Sequence, residues 1–250
     1  MLIGLIIAAG PTWCYDVVGF PPESKPKCLF HPSHKLRNWN AKLYQSDPGG
    51  GKNNSGLTLL ERQVLLLRKN GIKRIRIVTG YRSQDIELFN MNKGLGLEFV
   101  YNPKWETDSV NSLIVGVQDL DDDLLIVYGD GFVGEIDLNN ILKCDMPTVA
   151  LGLYQTMYKF GKQHIELLKR ADEFRMDIPD LIGNCDQFNK ESNVKCSYDN
   201  TQGLRLVRTM MNIYGAALGN GEAVHLPVHD STDIDFFNQT AESLGKYPCK

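Results

Sequence analysis

An α/β fold, with a mostly parallel sheet covered by helices on both faces, is what the sequence predicts. Apolar runs of strand length recur at residues 5–9, 75–78 and 124–128, and helical apolar spacing fills much of the chain between them. Each run also stops at a glycine or an aspartate: Gly10, Gly80 and Gly129-Asp130. Strands alternating with helices need crossover connections, and those connections cover a parallel sheet on both sides.

Leu5-Ile6-Ile7-Ala8-Ala9-Gly10 reads as a buried strand that opens onto a turn with small side chains, where a ligand can approach the main chain. Lys25-Pro26-Lys27-Cys28-Leu29 follows, so the intervening loop returns two ammonium groups to the mouth of that turn. Residues 31–55, rich in Gly and Asn in their second half, form a long connection expected to be a mobile flap. Thr58-Leu59-Leu60-Glu61 has capping-box spacing, and Leu60, Val64 and Leu67 carry an apolar stripe that stops at Asn70-Gly71, which makes a crossover helix.

Ile75, Ile77 and Val78 give a short strand ending at Gly80, and Leu97, Phe99 and Tyr101 alternate as another. Residues 109–117 can form a helix before the apolar strand at 124–128. Beyond it the pattern gives a strand at 148–153, a helix at 162–171, strands at 204–207 and 223–228, and a closing helix at 236–244. In such sheets ligands lie beyond the carboxyl ends of the strands, so Gly10, Gly80 and Asp130 are expected to converge on one site.

At 250 residues with 42% hydrophobic content, the chain can bury one substantial core, and a single domain over residues 1–250 is expected. A net charge of −3 offers no basic footprint for nucleic acid. The apolar first ten residues lack a basic leader and end at Gly10-Pro11, well short of a membrane span. Six scattered cysteines without Cys-x-x-Cys spacing suit reduced thiols, and a soluble, cytoplasmic protein is the expectation.

Several blocks stand in a telling order: Leu5 to Gly10, Pro26-Lys27-Cys28-Leu29, Gly56-Leu57-Thr58-Leu59-Leu60-Glu61-Arg62-Gln63, Val78-Thr79-Gly80-Tyr81-Arg82, Tyr101-Asn102-Pro103, Thr107 to Leu113, and Val127-Tyr128-Gly129-Asp130. Together they resemble the nucleotidyltransferase family that makes nucleotide-sugars and CDP-choline-like compounds: sugar-phosphate nucleotidylyltransferases, phosphocholine cytidylyltransferases and MobA-like transferases. The resemblance covers residues 1 to 153 and little of the C-terminal hundred residues, apart from Asp233-Ile234-Asp235. Thr12 and Cys14 stand where the family carries its second glycine and its arginine.

The resemblance implies a Rossmann-like three-layer α/β/α fold with a mostly parallel mixed sheet. It also implies transfer of a nucleotidyl group from a nucleoside triphosphate, CTP or UTP, to a phosphorylated small molecule such as a sugar 1-phosphate or phosphocholine. Lys27 and Asp130 become the catalytic pair, and Ala8, Ala9, Gly10, Lys25, Gly80 and Tyr81 line the nucleotide. Thr107, Asp108 and Ser112 fall in the acceptor segment. Magnesium, which needs only one or two carboxylates beside phosphate oxygens, is implied at Asp130 and Asp235, with Asp230 and Asp233 as alternatives for the second ligand.

Other constellations point elsewhere. Cys28, His31 and His34 have close spacings but lack a fourth zinc ligand, and Gly49-Gly50-Gly51-Lys52 lacks the strand and the Ser or Thr of a phosphate loop. Asp119, Asp121, Asp122 and Asp123 read as a solvated turn. Two rival functions remain: a nucleotide-binding relative that lost turnover with its arginine, and a nucleotide-sugar-dependent glycosyltransferase, against which the Lys27 loop argues.

Overall fold

A computed structural model of the chain describes residues 1–10, 25–29, 57–107, 109–131, 133–151, 157–175, 198–219 and 225–227. In chain order the elements are β1 (Leu2–Ala8), α1 (Leu59–Lys69), β2 (Arg74–Thr79), α2 (Ser83–Lys93), β3 (Glu98–Tyr101), α3 (Val110–Val117), β4 (Asp123–Tyr128), α4 (Glu135–Lys143), β5 (Thr148–Leu151), β6 (Met157–Phe160), α5 (Ile165–Lys169), α6 (Tyr198–Leu218) and β7 (His225–Pro227). The strands form one sheet in the order β3-β2-β1-β4-β6-β5-β7. All run parallel except β6, which is antiparallel to β4 and β5.

Period-two alternation along β1 divides the core into two layers. Ile3, Leu5 and Ile7 face a cluster holding Val110 and Leu113 of α3, Ile165 and Leu168 of α5, and Met210 and Ile213 of α6. Ile6 faces the other cluster, with Leu60 and Val64 of α1, Ile86 of α2, and Leu138 and Ile141 of α4. The result is the expected three-layer α/β/α sandwich on a mostly parallel mixed sheet. From β1 the chain steps outward to β2 and β3 with α1 and α2 on one face, then crosses over the other face through α3 to β4. The order reverses between β1 and β4, and a reversal of this kind opens a crevice at the carboxyl ends of the two strands.

Local signals account for most boundaries. Thr58 Oγ1 accepts from the Glu61 N–H at 3.1 Å and Glu61 Oε2 accepts from the Thr58 N–H at 3.1 Å, so the predicted capping box starts α1. The C-cap of that helix is Asn70. The strand expected at 204–207 is instead part of α6: Leu206, Met210, Ile213 and Tyr214 recur at helical spacing and are buried against α5 and Ala171. The short run Leu204-Arg205-Leu206-Val207 imitates a strand only because its window is too small to show that period.

The sequence pattern does not reveal α2, α4 or β6. Within α2 only Ile86 is buried, so no apolar stripe exists to be read. β6 is buried along its whole length, Lys159 included, whose ammonium donates to the Leu142 and Cys144 carbonyls at 2.9 and 2.6 Å and closes the end of α4. The insertion at 31–55 and the helix expected at 236–244 lie outside the described residues. No helix among the described residues is long and apolar enough to cross a membrane.

Charge gathers at the amino-terminal edge of the sheet. Arg76, only 4% exposed, donates to the Gly116 carbonyl at 3.2 Å and pairs with Asp119, and Arg74 pairs with Glu98 at 2.5 Å. The acidic run is therefore tied to β2. Arg74 holds the Glu98 carboxyl below its ordinary value of 4.5, chiefly through their hydrogen bond, and Arg76 does the same for Asp119 below 3.8.

Both carboxylates have folded-state values below their unfolded ones, so the stability they add is complete above the ordinary values and is lost as the pH falls through the depressed ones. The melting temperature should accordingly drop as the pH is lowered from 4.5 to below 3.8. Glu98→Gln should drop less steeply, as calorimetry across that range will test. A second expectation concerns glycines. A Cβ on Gly129 would lie 2.6 Å from Ala8 Cβ, whereas one on helical Gly215 would meet nothing within 4 Å. Gly129→Ala should cost about 1–3 kcal/mol by overpacking. Gly215→Ala should add about 0.5–1 kcal/mol by stiffening the unfolded chain and the helix. Denaturant titration distinguishes the two.

Candidate active site

Register brings the strand ends together. Ala8 lies beside Thr79, Ile7 beside Tyr128, and Thr79 beside Tyr101. Backbone hydrogen bonds continue the alignment past the strands: Gly129 N–H donates to Ile7 O at 2.8 Å, Tyr81 N–H to Ala9 O at 3.0 Å, and Asn102 N–H to Thr79 O at 2.8 Å. Gly10, Gly80 and Asp130 thus sit along one edge, as the apolar runs predict.

Close approach dictates the glycines here. A Cβ on Gly129 would strike Ala8, and one on Gly80 would fall 2.4 Å from Trp105 Cβ and 2.8 Å from Ala9 O. Gly10 differs: it is exposed, and among the described residues a Cβ there would meet nothing within 4 Å. Ala9 is buried and Ala8 half-buried, so small side chains line the end of β1 and Gly10 is its exposed point among the described residues.

Lys27 reaches this rim because its neighbours are anchored. Residues Lys27–Leu29 form a single 3-10 turn, closed by Leu29 N–H donating to Pro26 O at 3.0 Å. Cys28 and Leu29 are buried in the cluster that holds Leu60 and Val64 of α1, which turns Lys27 toward β4. Its ammonium stands 3.5 Å from the Asp130 carboxylate. Lys27 is 16% exposed and Asp130 40%, so the carboxylate faces solvent while the ammonium lies beneath it. Burial, and next the Asp130 charge, push the Cys28 thiol up to about 12, which leaves it an inert anchor. Partial burial pushes the Lys25 ammonium below its ordinary value.

The remaining predicted residues occupy defined places. Tyr81 packs edge-on against Trp105, ring centroids 5.4 Å apart, over Gly80. Fully buried Asn102 donates from Nδ2 to Ser112 Oγ at 2.9 Å and accepts from the Lys104 N–H at 2.9 Å, which ties the 102–107 loop to α3. Ser112 is therefore buried in that contact, and Thr107 lies exposed at the far end of the loop, its hydroxyl on Lys104 O. Asp108, Asp230, Asp233 and Asp235 lie outside the described residues, as do Thr12, Cys14, His31 and His34.

Sequence reasoning assigned nothing to Trp105, Arg62 or Gln63. Arg62 donates to Val133 O, and Gln63 to Tyr128 O and Gly131 O. The signal for the last two was present in Glu61-Arg62-Gln63, polar residues on a helix whose buried side carries them.

Among the described residues, no three His, Cys, Asp or Glu side chains gather as a metal centre. Asp130 by itself offers a hard, solvent-facing carboxylate at a strand end. That donor suits magnesium, which retains water and takes the rest of its shell from phosphate oxygens, and suits zinc poorly.

No protein-family model matches the chain, and neither does any curated protein. Solved structures do. A nucleotidyl transferase from Methanothermobacter thermautotroptrophicus superposes with a TM-score of 0.52 at 15% identity, over 98% of this chain and 97% of that one. A Bacillus anthracis protein assigned as a glucose-1-phosphate thymidylyltransferase gives 0.52 at 11% identity, over 98% of this chain and 95% of that one. With its sheet reversing between β1 and β4 and its charged pair at that reversal, the chain has the fold of these nucleotidyltransferases.

Proposed function

We propose that the chain is a magnesium-dependent nucleotidyltransferase that moves a nucleotidyl group from CTP or UTP to a phosphorylated small molecule, a sugar 1-phosphate or a phosphocholine-like compound. The observation that carries this reading is the Lys27–Asp130 pair at 3.5 Å, placed at the strand ends where β1 meets β4 and runs out to the exposed Gly10. An acceptor phosphate oxygen forms a bond to the α-phosphorus, the bond from that phosphorus to the bridging oxygen of the β-phosphate breaks, and pyrophosphate leaves. Two anions must be held together meanwhile, so positioning and positive charge do most of the work.

Gly10 and Ala9 admit the triphosphate to the main chain. Lys27 exchanges its contact with Asp130 for a phosphate oxygen, and its compact ammonium, with three donors, stabilises charge as it accumulates. Lys25, two residues before it, supplies a second cation for the outer phosphates. Gly80 and Tyr81, stiffened by Trp105, border the nucleotide, and Thr107 and Asp108 border the acceptor. Asp130 would hold magnesium, with Asp235 as the second carboxylate and Asp230 and Asp233 as its alternatives. When bound, the metal neutralises phosphate charge.

Thr12 and Cys14, where the resemblance calls for a glycine and an arginine, support a second reading, a nucleotide-binding relative without turnover. A pyrophosphate-release screen of the four nucleoside triphosphates against phosphocholine and common sugar phosphates separates the two. Release with one pair is expected. Nucleotide binding without release from any pair, followed by release from Cys14→Arg with Thr12→Gly, would establish the second reading instead.

Asp130→Asn should abolish magnesium-dependent release and leave the melting transition in place, because a half-exposed strand end tolerates the isosteric amide while the metal loses an anionic ligand. Lys27→Ala should slow release by about 10² to 10³, the usual effect of removing one preorganised stabilising group. Steady-state rates at saturating nucleotide test both.

A further inference from the structure

Gln63 takes no part in the chemistry proposed above, yet it is among the most deeply buried polar side chains of the described residues, 1% exposed. From α1 its Nε2 donates to Tyr128 O at 2.8 Å and to Gly131 O at 2.6 Å. These carbonyls bracket Gly129-Asp130. Both N–H bonds of the amide are committed, and Oε1 is buried with no hydrogen-bond partner among the described residues. The amide orientation is consequently fixed, since reversing it would set oxygen against two carbonyl oxygens.

Arg62, 3% exposed, extends the same hold to Val133 O. From the opposite side Gly129 N–H bonds to Ile7 O, and Gly131 N–H closes a turn onto Tyr128 O at 3.0 Å. Every one of these contacts is made by the loop backbone, and none uses the Asp130 carboxylate. Fixing the carbonyls on both sides of residue 130 fixes its Cα–Cβ direction, and with it the few staggered positions from which the carboxylate can reach Lys27.

We propose that Gln63 is a positioning residue: it clamps the two carbonyls that flank Asp130, and so aims that carboxylate at Lys27 and at the divalent cation. The proposal rests on the nucleotidyltransferase reading for the cation, but its backbone part does not. A volume-matched side chain without donors, or one whose donors become acceptors, should release the loop while the packing of α1 on the sheet survives.

The test uses the full chain and two variants, Gln63→Leu and Gln63→Glu, with Mn2+ as the paramagnetic probe. Amide hydrogen exchange across residues 128–133 should rise at least tenfold, more for Gln63→Glu because its oxygens repel both carbonyls, with exchange in β1 and β2 unchanged. Affinity of the protein for Mn2+, measured with CTP or UTP present so that phosphate oxygens complete the shell, should fall at least tenfold in both variants. Asp130→Asn should lose Mn2+ binding with normal loop exchange. Unchanged exchange in whichever variants fold, or raised exchange with parental Mn2+ affinity, would overturn the positioning role. Failure of both variants to fold would overturn it too, by making Gln63 a requirement of the core. A parent that binds no Mn2+ even with nucleotide present, while loop exchange responds to Gln63, would instead sink the cation reading at Asp130, and the aiming role with it, while the backbone clamp would stand.

Discussion

The contact between the ends of β1 and β4 is the constraint that shapes the site. These strands meet where the sheet order reverses, with helices leaving on opposite faces, and a reversal of this kind leaves a crevice above the strand ends. Gly129 closes against Ala8 with no room for a Cβ, and its N–H reaches Ile7 O. The chain must then turn at once, which carries Asp130 out over the crevice.

One helix supplies most of the supports around that turn. The apolar side of α1 packs on Ile6, Ile75 and Ile77, and the same packed layer receives Cys28 and Leu29, which delivers Lys27. Buried Arg62 and Gln63 meet the carbonyls of the Asp130 loop. Cation and carboxylate are thus referred to a common frame, and their separation of 3.5 Å follows from core packing. Burying polar side chains is costly unless they are hydrogen-bonded. Carbonyls of an irregular loop need donors, so each supplies what the other lacks.

The two edges of the sheet divide the work. At the amino-terminal edge Arg74 and Arg76 are matched by Glu98, Asp119 and Asp122. At the carboxyl edge the described charges are fewer and Asp130 stays accessible. Ion pairs hold the strands in register at the first edge, while the other keeps a carboxylate and ammonium groups able to exchange partners.

Much of the fold was legible in the chain. The apolar runs of β1, β2 and β4, the capping box of α1 and the glycine or aspartate after each run are local features, and local physics fixes them: periodicity, caps and turn chemistry act over a few residues. From these the parallel sheet and the edge that bears the site can be deduced. The weakly striped α2, the wholly buried β6 and the helical state of Leu204 to Val207 were not legible, because burial there is decided by partners distant in sequence. For the same reason it took the folded chain to set Lys27 against Asp130, put Trp105 over Gly80, draw Ser112 into the contact with Asn102 and give Gln63 its two carbonyls. Residue order alone dictates which residues stand at the strand ends. Packing across the β1–β4 reversal selects which of them meet, since spacing along a chain carries no information about distance across a core.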